Sequence, residues 1–479
     1  MRPAARPSRR ARRGRWLLAG ALLLPAAAQS PPAAEPATRD RPVGDTLYPT
    51  LGQADLDARH YDVHLTVTQP GTRALSGEVT VTLRATRDLP LISLDFLGPP
   101  VTFARWDGQP VPYRQDRPGG KLRILRALPA GQQASVTLRY AGVAGLLPDP
   151  VFPFTLGWQA VPDPLKVGGG ANFAFGEPDG TRTFLPVNDH PSDPATFTVT
   201  LTVPPGTAAV ASGERVRVTD TPGAHTVTFE QTRPIPTYAL AVHLGPLEEQ
   251  GSPAVPVGEG GAAVARRDYF PPGTPGAVRA PYRRTGEILG VLSDWFGPFP
   301  FATYGSVVVT AHLPALETAT LSTMPVASSS DRVLVHETAH QWFGNSVTLR
   351  DWSDVWLNEG FATYAELLWH EHLGQDPRPL AEAWYATLQR RGTRPLVATD
   401  ATELFDSSAY QRGALALHAL RRQVGDPAFR RFLRAYAQGQ AGPVVGTDDL
   451  LAFVRRTLGD PAGDTLQRWI RQPLLPPAP

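Results

Sequence analysis

The sequence predicts a multidomain α+β protein, in which an N-terminal antiparallel β domain of the saddle or sandwich type precedes a mainly helical domain. The chain of 479 residues is long enough for two or three domains. Apolar and polar residues alternate repeatedly over residues 47–250, whereas beyond residue 251 apolar residues recur with helical spacing. Gly and Pro are frequent over residues 251–263, which predicts a domain junction there.

Residues 1–28 have the pattern of a secretory signal peptide. Seven arginines precede Trp16, no acidic residue precedes Glu35, and an apolar run leads to small residues and a predicted cleavage site near Ala28. The apolar run is too short to cross a bilayer, although an uncleaved anchor is the alternative. Residues 29–46 are rich in Pro and Ala and predict a flexible linker. We therefore expect an exported protein, either periplasmic or extracellular.

The composition excludes several kinds of site and partner. The chain contains no cysteine, so disulfides, thiolate metal sites and cysteine nucleophiles are excluded. The formal net charge is only +2 and the arginine excess lies before Trp16, which leaves no basic footprint for nucleic acid. No later stretch is long and apolar enough to be transmembrane. No oligomeric state is predicted.

Secondary structure is predicted from the period of the apolar residues. Strand-like alternation within the β domain, residues 47–250, occurs at residues 64–68, 77–84, 134–140, 196–203 and 226–230. Further elements are a helix over 278–296, a strand over 306–310, helices over 354–369 and 379–391, and short helices over 429–436, 448–458 and 464–471. The last two helices belong to a predicted C-terminal tail, residues 437–479.

One stretch of the helical region carries the chemistry. It reads Val-His-Glu-Thr-Ala-His, and eighteen residues separate its second histidine from Glu359. The serines at 328–330 can cap a helix that begins there. On that helix His336 and His340 lie one turn apart on one face, where neutral imidazoles can bind a single zinc ion. Glu337 points slightly aside, and we expect it to act on water rather than to bind the metal.

Glu359 is the expected third zinc ligand. A helix over 354–369, with Ser353 as its predicted cap, places Glu359 and Glu366 on one face. Glu366 can then lie behind the metal ligands and hold an imidazole by a hydrogen bond. Three protein ligands and one open position are typical of catalytic zinc, so we predict one zinc ion per chain. Buried structural histidines are the alternative.

The motif His-Glu-Thr-Ala-His-Gln-Trp-Phe-Gly-Asn, together with Trp-Leu-Asn-Glu-Gly-Phe-Ala around Glu359, resembles the aminopeptidase N family of zinc metallopeptidases. The resemblance extends from about residue 47 to the end of the chain. It implies that the β domain flanks the active site and that residues 251–436 form a thermolysin-like, mainly helical catalytic domain. Larger members of the family continue into a C-terminal helical domain, so a more open cleft is expected here.

The resemblance also implies substrate-binding residues. The sequence Pro-Ala-Leu-Glu-Thr at 314–318 occupies the place of Gly-Ala-Met-Glu-Asn, an edge strand that pairs with the peptide in the family. Ala315 and Glu317 are therefore expected to bind substrate, with Glu317 at its free α-amino group. A desolvated ammonium needs a fixed anion, although an ordinary surface carboxylate is the alternative. Phe175 and Thr318 depart from the family pattern, and Phe175, in place of a glutamine, implies an altered pocket for the first residue.

Two further assignments follow from the resemblance. Tyr410, in Tyr-Gln-Arg-Gly-Ala, stands where the family tyrosine donates a hydrogen bond to the oxyanion, with a buried core tyrosine as the alternative. Glu177, Arg182 and Asp189 also follow a family stretch. A network of ion pairs and turns that stabilises the loop is the alternative for these three residues.

The resemblance and the motifs together predict a zinc aminopeptidase that acts on peptides with a free N-terminus. Glu337 is the expected general base, and Tyr410 is expected to stabilise the oxyanion. An endopeptidase, or another zinc hydrolase with an open cleft such as one acting on a small lipid epoxide, is the first alternative. The second is a non-catalytic binding protein that keeps the fold. Assays on free and N-blocked peptides separate the peptidase alternatives, and zinc analysis addresses the binding protein.

Overall fold

The structure is a computed structural model that describes residues 40–163, 169–257, 262–440 and 442–479. The predicted signal peptide and most of the predicted linker lie outside the described residues. Among the helices of the described ranges, none combines the length and the apolar character that a membrane crossing requires.

Strands dominate the part of the chain before residue 246. They are β1 Leu56–Thr66, β2 Ala74–Ala85, β3 Ile92–Asp95, β4 Val101–Trp106, β5 Gln109–Pro110, β6 Tyr113–Asp116, β7 Lys121–Ile124, β8 Gln133–Val143, β9 Leu146–Pro148, β10 Thr155–Val161, β11 Ala171–Phe175, β12 Ala195–Val203, β13 Ala208–Ala211, β14 Glu214–Thr221, β15 Ala224–Ile235 and β16 Val242–Gly245.

The remainder combines short strands with helices. These elements are β17 Glu248–Pro256, β18 Ala263–Phe270, α1 Gly276–Arg279, α2 Thr285–Phe296, β19 Thr303–Tyr304, β20 Ser306–Val309, β21 Ser322–Pro325, α3 Asp331–Ala339, β22 Thr348–Leu349, α4 Trp356–His372, α5 Arg378–Arg391, α6 Gly413–Val424, α7 Asp426–Ala437, β23 Val444–Val445, α8 Thr447–Leu458 and α9 Asp460–Arg471.

The largest sheet has eight strands in the order β14-β15-β12-β1-β2-β8-β4-β5. Its alternating residues put one face in the core, as the period of two predicts, and Tyr61 of β1 lies opposite Val81 of β2. Most pairs are antiparallel, but β1 and β12 pair in parallel. A second sheet, β13-β16-β11-β10-β9, carries Phe175 at the end of β11.

The Gly- and Pro-rich stretch predicted as a domain junction overlaps strand β17, which pairs antiparallel with β18 in a sheet that continues through β20 and β21. Helix α3 follows this sheet directly and packs on α4, and α4 in turn packs on α6. This sheet edge and these three helices carry the candidate site.

Residues 40–46, the end of the predicted flexible linker, are instead fixed to the body of the protein. The buried carboxylate of Asp45 accepts hydrogen bonds from the backbone N–H of Trp352, at 2.7 Å, and from Nε2 of His190, at 2.9 Å. Thr46 donates from its backbone N–H to Asp351. An extended segment held by side-chain hydrogen bonds has no apolar period, which is why its composition indicated a linker.

Three predicted helix boundaries can be compared with the structure. Ser330 caps α3 by accepting a hydrogen bond from the backbone N–H of Val333, as the serine run predicted. Ser353 is not a cap: Asp351 caps the short 3₁₀ turn Trp352–Asp354, and α4 begins two residues later than predicted. The predicted helix over 278–296 is divided into α1, a 3₁₀ turn and α2, because the proline at 281 has no N–H to continue the first helix.

Candidate active site

Helix α3 presents the His-Glu pair to a buried cleft. His336 and Glu337 lie in its last turns, and His340 is the residue at which the helix ends. All three side chains are buried. The imidazole centroids of His336 and His340 are 4.8 Å apart, so the two rings are neighbours on successive turns, as the motif predicts.

Glu359, in the first turn of α4, faces both imidazoles. Its Oε2 lies 3.1 Å from Nε2 of His336 and 3.6 Å from Nε2 of His340. One ligand atom from each of the three residues can be chosen so that all lie within 4.8 Å of one another. The structure therefore brings the three predicted zinc ligands together.

The hydrogen bonds of the two imidazoles indicate whether a cation fits between His336, His340 and Glu359. Nδ1 of His336 lies 3.0 Å from Oε1 of Glu366, and Nδ1 of His340 lies 3.1 Å from the carbonyl oxygen of Phe343. Both partners are acceptors, so a neutral imidazole carries its proton on Nδ1 and directs the lone pair of Nε2 toward Glu359. The two Nε2 lone pairs and the Glu359 carboxylate are all electron-rich, so they repel one another unless a cation lies between them. A zinc ion is suited to this position.

The pKa values of His336 and Glu337 also indicate that the site lacks a positive charge. Burial works to lower the pKa of His336, but hydrogen bonds to Glu359 and Glu366 outweigh it and raise this pKa well above its ordinary value. Burial also raises the pKa of Glu337 to about 7, with the nearby histidines opposing the rise and the carboxylates of Glu317 and Glu359 adding to it.

Glu366 lies behind His336. It shares one face of helix α4 with Glu359. Besides its contact with His336, Glu366 accepts two hydrogen bonds from Nη1 of Arg332, at 3.1 and 3.2 Å. Arg332 lies in the first turn of α3, so this contact ties the helix that carries the histidines to the helix that carries Glu359. The arrangement is suited to fixing the orientation and tautomer of His336.

Glu317 lies at the edge of the sheet formed by β17, β18, β20 and β21. The neighbouring Leu316 makes one antiparallel bridge to Thr323 in β21, and Ala315 lines the cleft. Two amide side chains, those of Gln341 and Asn345, donate hydrogen bonds to the backbone carbonyl of Glu317, the latter at 2.7 Å.

The cleft contains an excess of buried carboxylates. Glu177, Glu317, Glu337 and Glu359 all line it. Among the described residues, Oε1 of Glu177 and Oε1 of Glu317 are buried without a hydrogen-bond partner. Burial, followed by the negative charge of Glu317, raises the pKa of Glu177 well above its ordinary value. Unpartnered acceptors of this kind are suited to a bound cation.

Tyr410 lies in a π-helical turn, Ser408–Arg412, that leads into α6. Its ring stacks on that of His336 at a centroid distance of 5.8 Å. Helices α4 and α6 approach each other closely, since a Cβ on Gly360 would lie only 2.9 Å from Cα of Gly413. Burial and then the charge of Glu359 raise the pKa of Tyr410 well above its ordinary value, which keeps its hydroxyl protonated as a donor.

The two residues that depart from the family pattern, Phe175 and Thr318, differ in their position relative to the cleft. Phe175 is buried and lines the cleft. Thr318 points away from it, because its hydroxyl donates to the carbonyl of Leu321 at 2.6 Å and contacts Thr323.

The residues of the loop after Phe175 have two separate roles. Arg182 forms an ion pair with Asp179, and its backbone N–H donates to Asp189 at 3.0 Å, which is the loop-stabilising network considered as the alternative for these residues. Glu177 is separate from these contacts and lines the cleft.

Sequence reasoning missed two residues that hold the backbone of Glu317 and four that line the cleft. Gln341 and Asn345 fall inside the His-Glu-Thr-Ala-His-Gln-Trp-Phe-Gly-Asn motif, where buried amides could have indicated a supporting role. The remaining missed residues line the cleft from loops and are Asp149, Phe152, Phe154 and Phe405. Loop residues of this kind carry no periodic signal.

Comparisons with known proteins agree with this geometry. The Peptidase family M1 domain matches residues 303–469, and the Peptidase M1 N-terminal domain matches residues 169–239. The chain is 25% identical to Aminopeptidase M1 of Arabidopsis thaliana over 326 residues and 27% identical to Leucyl aminopeptidase of Saccharolobus solfataricus over 323 residues. Each match covers 62% of this chain, but only 36% and 40% of those relatives.

Solved structures match over a larger share of both chains than these relatives do. The M1 zinc metallopeptidase from Deinococcus radiodurans is 48% identical, with a TM-score of 0.87, and the match covers 91% of this chain and 98% of that one. A structure described as a two-domain M1 zinc metallopeptidase variant bound to L-tryptophan matches with the same identity and TM-score. The predicted α+β fold, with a β-rich domain before a helical one, and the predicted zinc cofactor are confirmed. The chain belongs to the M1 family of zinc metallopeptidases.

Proposed function

We propose that this chain is a zinc-dependent aminopeptidase, which removes N-terminal residues from peptides that have a free amino group. The observation that carries the proposal is the position of Glu317. Ligand atoms of Glu317, Glu337 and His340 lie within 4.8 Å of one another, so an anion suited to an ammonium group lies directly beside the hydrolytic residues. An amine held there presents only the first peptide bond for cleavage.

We assign the zinc ion to His336, His340 and Glu359, with Glu366 orienting His336. When bound, zinc polarises the scissile carbonyl and lowers the pKa of water toward 7. Three protein ligands leave one position open, as a catalytic site requires.

The remaining steps belong to side chains of this protein. Glu337 takes a proton from the attacking water and passes it to the leaving amine, because its carboxylate lies beside His340 and can both accept and return a proton. The hydroxyl of Tyr410 donates a hydrogen bond to the oxyanion of the substrate. Glu317 binds the free α-amino group, and the backbone of Ala315, next to the bridge between Leu316 and Thr323, pairs with the peptide.

Relatives support peptides as the substrate class. A variant of the M1 zinc metallopeptidase from Deinococcus radiodurans is described as bound to a Tyr-Ser-Ala substrate, a tripeptide. The curated relatives are named aminopeptidases.

We also propose that the protein is exported and that its signal peptide is removed near Ala28, on the composition of residues 1–28. Sequencing the N-terminus of the protein recovered from the periplasm or medium tests this. An N-terminus at Met1 in a cell-associated protein would contradict it.

The experiment for the catalytic proposal follows one pentapeptide over time by mass spectrometry. The zinc-loaded protein should release the first residue, then the second, so that tetrapeptide appears before tripeptide. Fragments from an internal cut at early times would support the endopeptidase instead. A protein that binds zinc but leaves the pentapeptide intact would support a binding function.

A further inference from the structure

The carboxylate of Glu317 belongs to a short segment, residues 317–322, which we call the anchor loop. The loop is closed at its base, because Leu316 and Thr323 exchange backbone hydrogen bonds of 2.9 and 2.8 Å. Glu317 itself lies in neither a helix nor a strand. Contacts from other parts of the chain therefore set the position of its carboxylate.

The side chain of Gln341 connects the anchor loop to the helix that carries the zinc ligands. Its Oε1 accepts a hydrogen bond from the backbone N–H of Thr320 at 2.8 Å. Its Nε2 donates to the carbonyl oxygen of Glu317 at 3.2 Å and to that of Glu337, in α3, at 3.3 Å. Gln341 follows His340 directly and is fully buried. One amide thus joins the first and fourth residues of the loop to the zinc helix.

The backbone of Thr320 shows that the anchor loop needs support. Its φ of 62° lies in the left-handed region, which a β-branched residue rarely adopts. The backbone N–H of Thr320 is bound by Gln341, and its Oγ1 accepts a hydrogen bond from the backbone N–H of Gly213 at 2.7 Å. A strained residue of this kind persists only when surrounding contacts fix it, and such residues are frequent at functional sites.

The proposed reaction requires a constant distance between the amine anchor and the zinc site. A peptide is cleaved productively only when its amino group reaches Glu317 while its first carbonyl reaches the metal position, and a misplacement of about 1 Å can cost about 100-fold in rate. Helix α3 and Glu366 fix His336. Glu317 has no helix of its own, and the amide of Gln341 links it to α3.

Resting on the proposed function, we propose that Gln341 is a positioning residue, which sets the distance between the Glu317 carboxylate and the zinc site and so maintains the preference for free N-termini. It acts through the backbone of the anchor loop. An amide is suited to this role because it donates and accepts hydrogen bonds at once. Asn345 also donates to the carbonyl of Glu317, at 2.7 Å, and steadies one end of the turn, whereas Gln341 holds both ends.

Gln53 provides a matched control. It is a buried glutamine whose Oε1 accepts from the backbone N–H of Ser93 at 2.8 Å and whose Nε2 donates to the carbonyl of Leu91 at 2.9 Å. It lies in the strand-rich part of the chain and does not line the cleft. Replacing either glutamine with Met removes comparable buried hydrogen bonds, so both variants should lose stability. Only the change at Gln341 should alter the choice of substrate.

The test compares a peptide that has a free amino group with its N-acetylated form, in the zinc-loaded protein. Gln341→Met should raise KM for the free peptide by about tenfold to 100-fold, change kcat less, and leave kcat/KM for the acetylated peptide nearly unchanged. Gln53→Met should keep the wild-type values for both peptides. Both variants should bind zinc as the wild type does. An equal loss on the two peptides in Gln341→Met would overturn the proposal.

A double-mutant cycle shows whether Gln341 acts through Glu317. In the Glu317→Ala background no carboxylate remains to be positioned, so the addition of Gln341→Met should not raise KM for the free peptide further. The same rise in KM with and without the Glu317 carboxylate would overturn the proposal, because Gln341 would then act on substrate binding by another route.

The wild-type measurement separates this inference from the proposed function. Equal cleavage of the two peptides by the wild type would refute the amine anchor, and the inference with it. A preference for the free peptide that Gln341→Met preserves would overturn the inference alone. Gln341→Asn, whose amide is one methylene closer to the backbone, should also raise KM for the free peptide and replaces Gln341→Met if that variant does not fold. Failure of both to fold, while Gln53→Met folds, would assign Gln341 to stability and overturn the proposal.

Discussion

Nδ1 of His336 lies 3.0 Å from Oε1 of Glu366, and the other ring nitrogen of the same histidine lies 3.1 Å from Glu359. One imidazole thus connects two carboxylates of helix α4, one on each side. The outer carboxylate, which also contacts Arg332, fixes the proton on Nδ1, and the inner one faces the lone pair on Nε2. We therefore expect the zinc site to depend on Glu366, a residue that would not touch the metal.

Replacing Glu366 with Gln should weaken zinc binding by about 10-fold to 100-fold, because an outer partner that orients a ligating histidine contributes on this scale. Competition with a chromogenic chelator measures the affinity. Glu371→Gln is the control, since Glu371 lies on the same helix but pairs with Arg421 at 2.9 Å. Equal zinc affinity in Glu366→Gln and the wild type would show that Glu366 does not support the site.

Glu337→Gln should retain one zinc per chain and lose about 100-fold to 10,000-fold in kcat, the usual contribution of a general base. Glutamine keeps the size of the side chain and cannot accept the proton. Elemental analysis and steady-state kinetics on the same preparation give both quantities. Near-normal turnover would remove Glu337 from the mechanism.

Tyr410→Phe should also retain zinc, and should lose about 100-fold to 1,000-fold in kcat with a smaller change in KM, because one donor to the oxyanion acts mainly in the transition state. The stacked ring beside His336 is kept in this variant, so a loss of activity reports on the hydroxyl alone. A rise in KM with unchanged kcat would instead assign Tyr410 to substrate binding.

Asp45→Ala should lower the free energy of unfolding by about 3–5 kcal/mol, since it breaks a buried pair with His190 and leaves the backbone N–H of Trp352 without its acceptor. Urea titration measures the loss. A loss near zero would return residues 40–46 to the predicted linker.

Asp45 also predicts a dependence on pH. Burial works to raise the pKa of its carboxyl, but hydrogen bonds from His190, Trp352 and Tyr48 outweigh it and lower this pKa below 3.8. The stabilisation is therefore complete above the unfolded value and is lost as pH falls through the lower folded value. Unfolding followed between pH 5 and about pH 2 should show a weaker pH dependence in Asp45→Asn than in the wild type. Identical profiles would contradict the low pKa.

The sequence predicted those parts of the fold and site that repeat or that follow a motif. The spacing of His336, His340 and Glu359 indicated the three residues that now face one another, and the serine run indicated the start of α3 at its cap. Alternation located strands such as β2 and β12, although it could not show that β12 pairs in parallel with β1.

Features that depend on tertiary contacts could not be predicted from local sequence patterns. Asp45 is fixed by Trp352, three hundred and seven positions away, and no local pattern marks that contact. Asp351 rather than Ser353 caps the 3₁₀ turn that precedes α4, although both residue types are suitable caps. Phe152 and Phe405 meet only after the strand-rich and helical parts of the chain come together.

The central claim is that Glu317 makes this zinc peptidase act on free N-termini. The direct measurement is the ratio of kcat/KM for a peptide with a free amino group to that for its N-acetylated form, in the wild type and in Glu317→Ala. The account predicts a strong preference for the free peptide in the wild type, and a preference much reduced in the variant through a higher KM for the free peptide alone, because only that peptide loses an ion pair. Equal cleavage of the two peptides by the wild type would contradict the account and favour an endopeptidase.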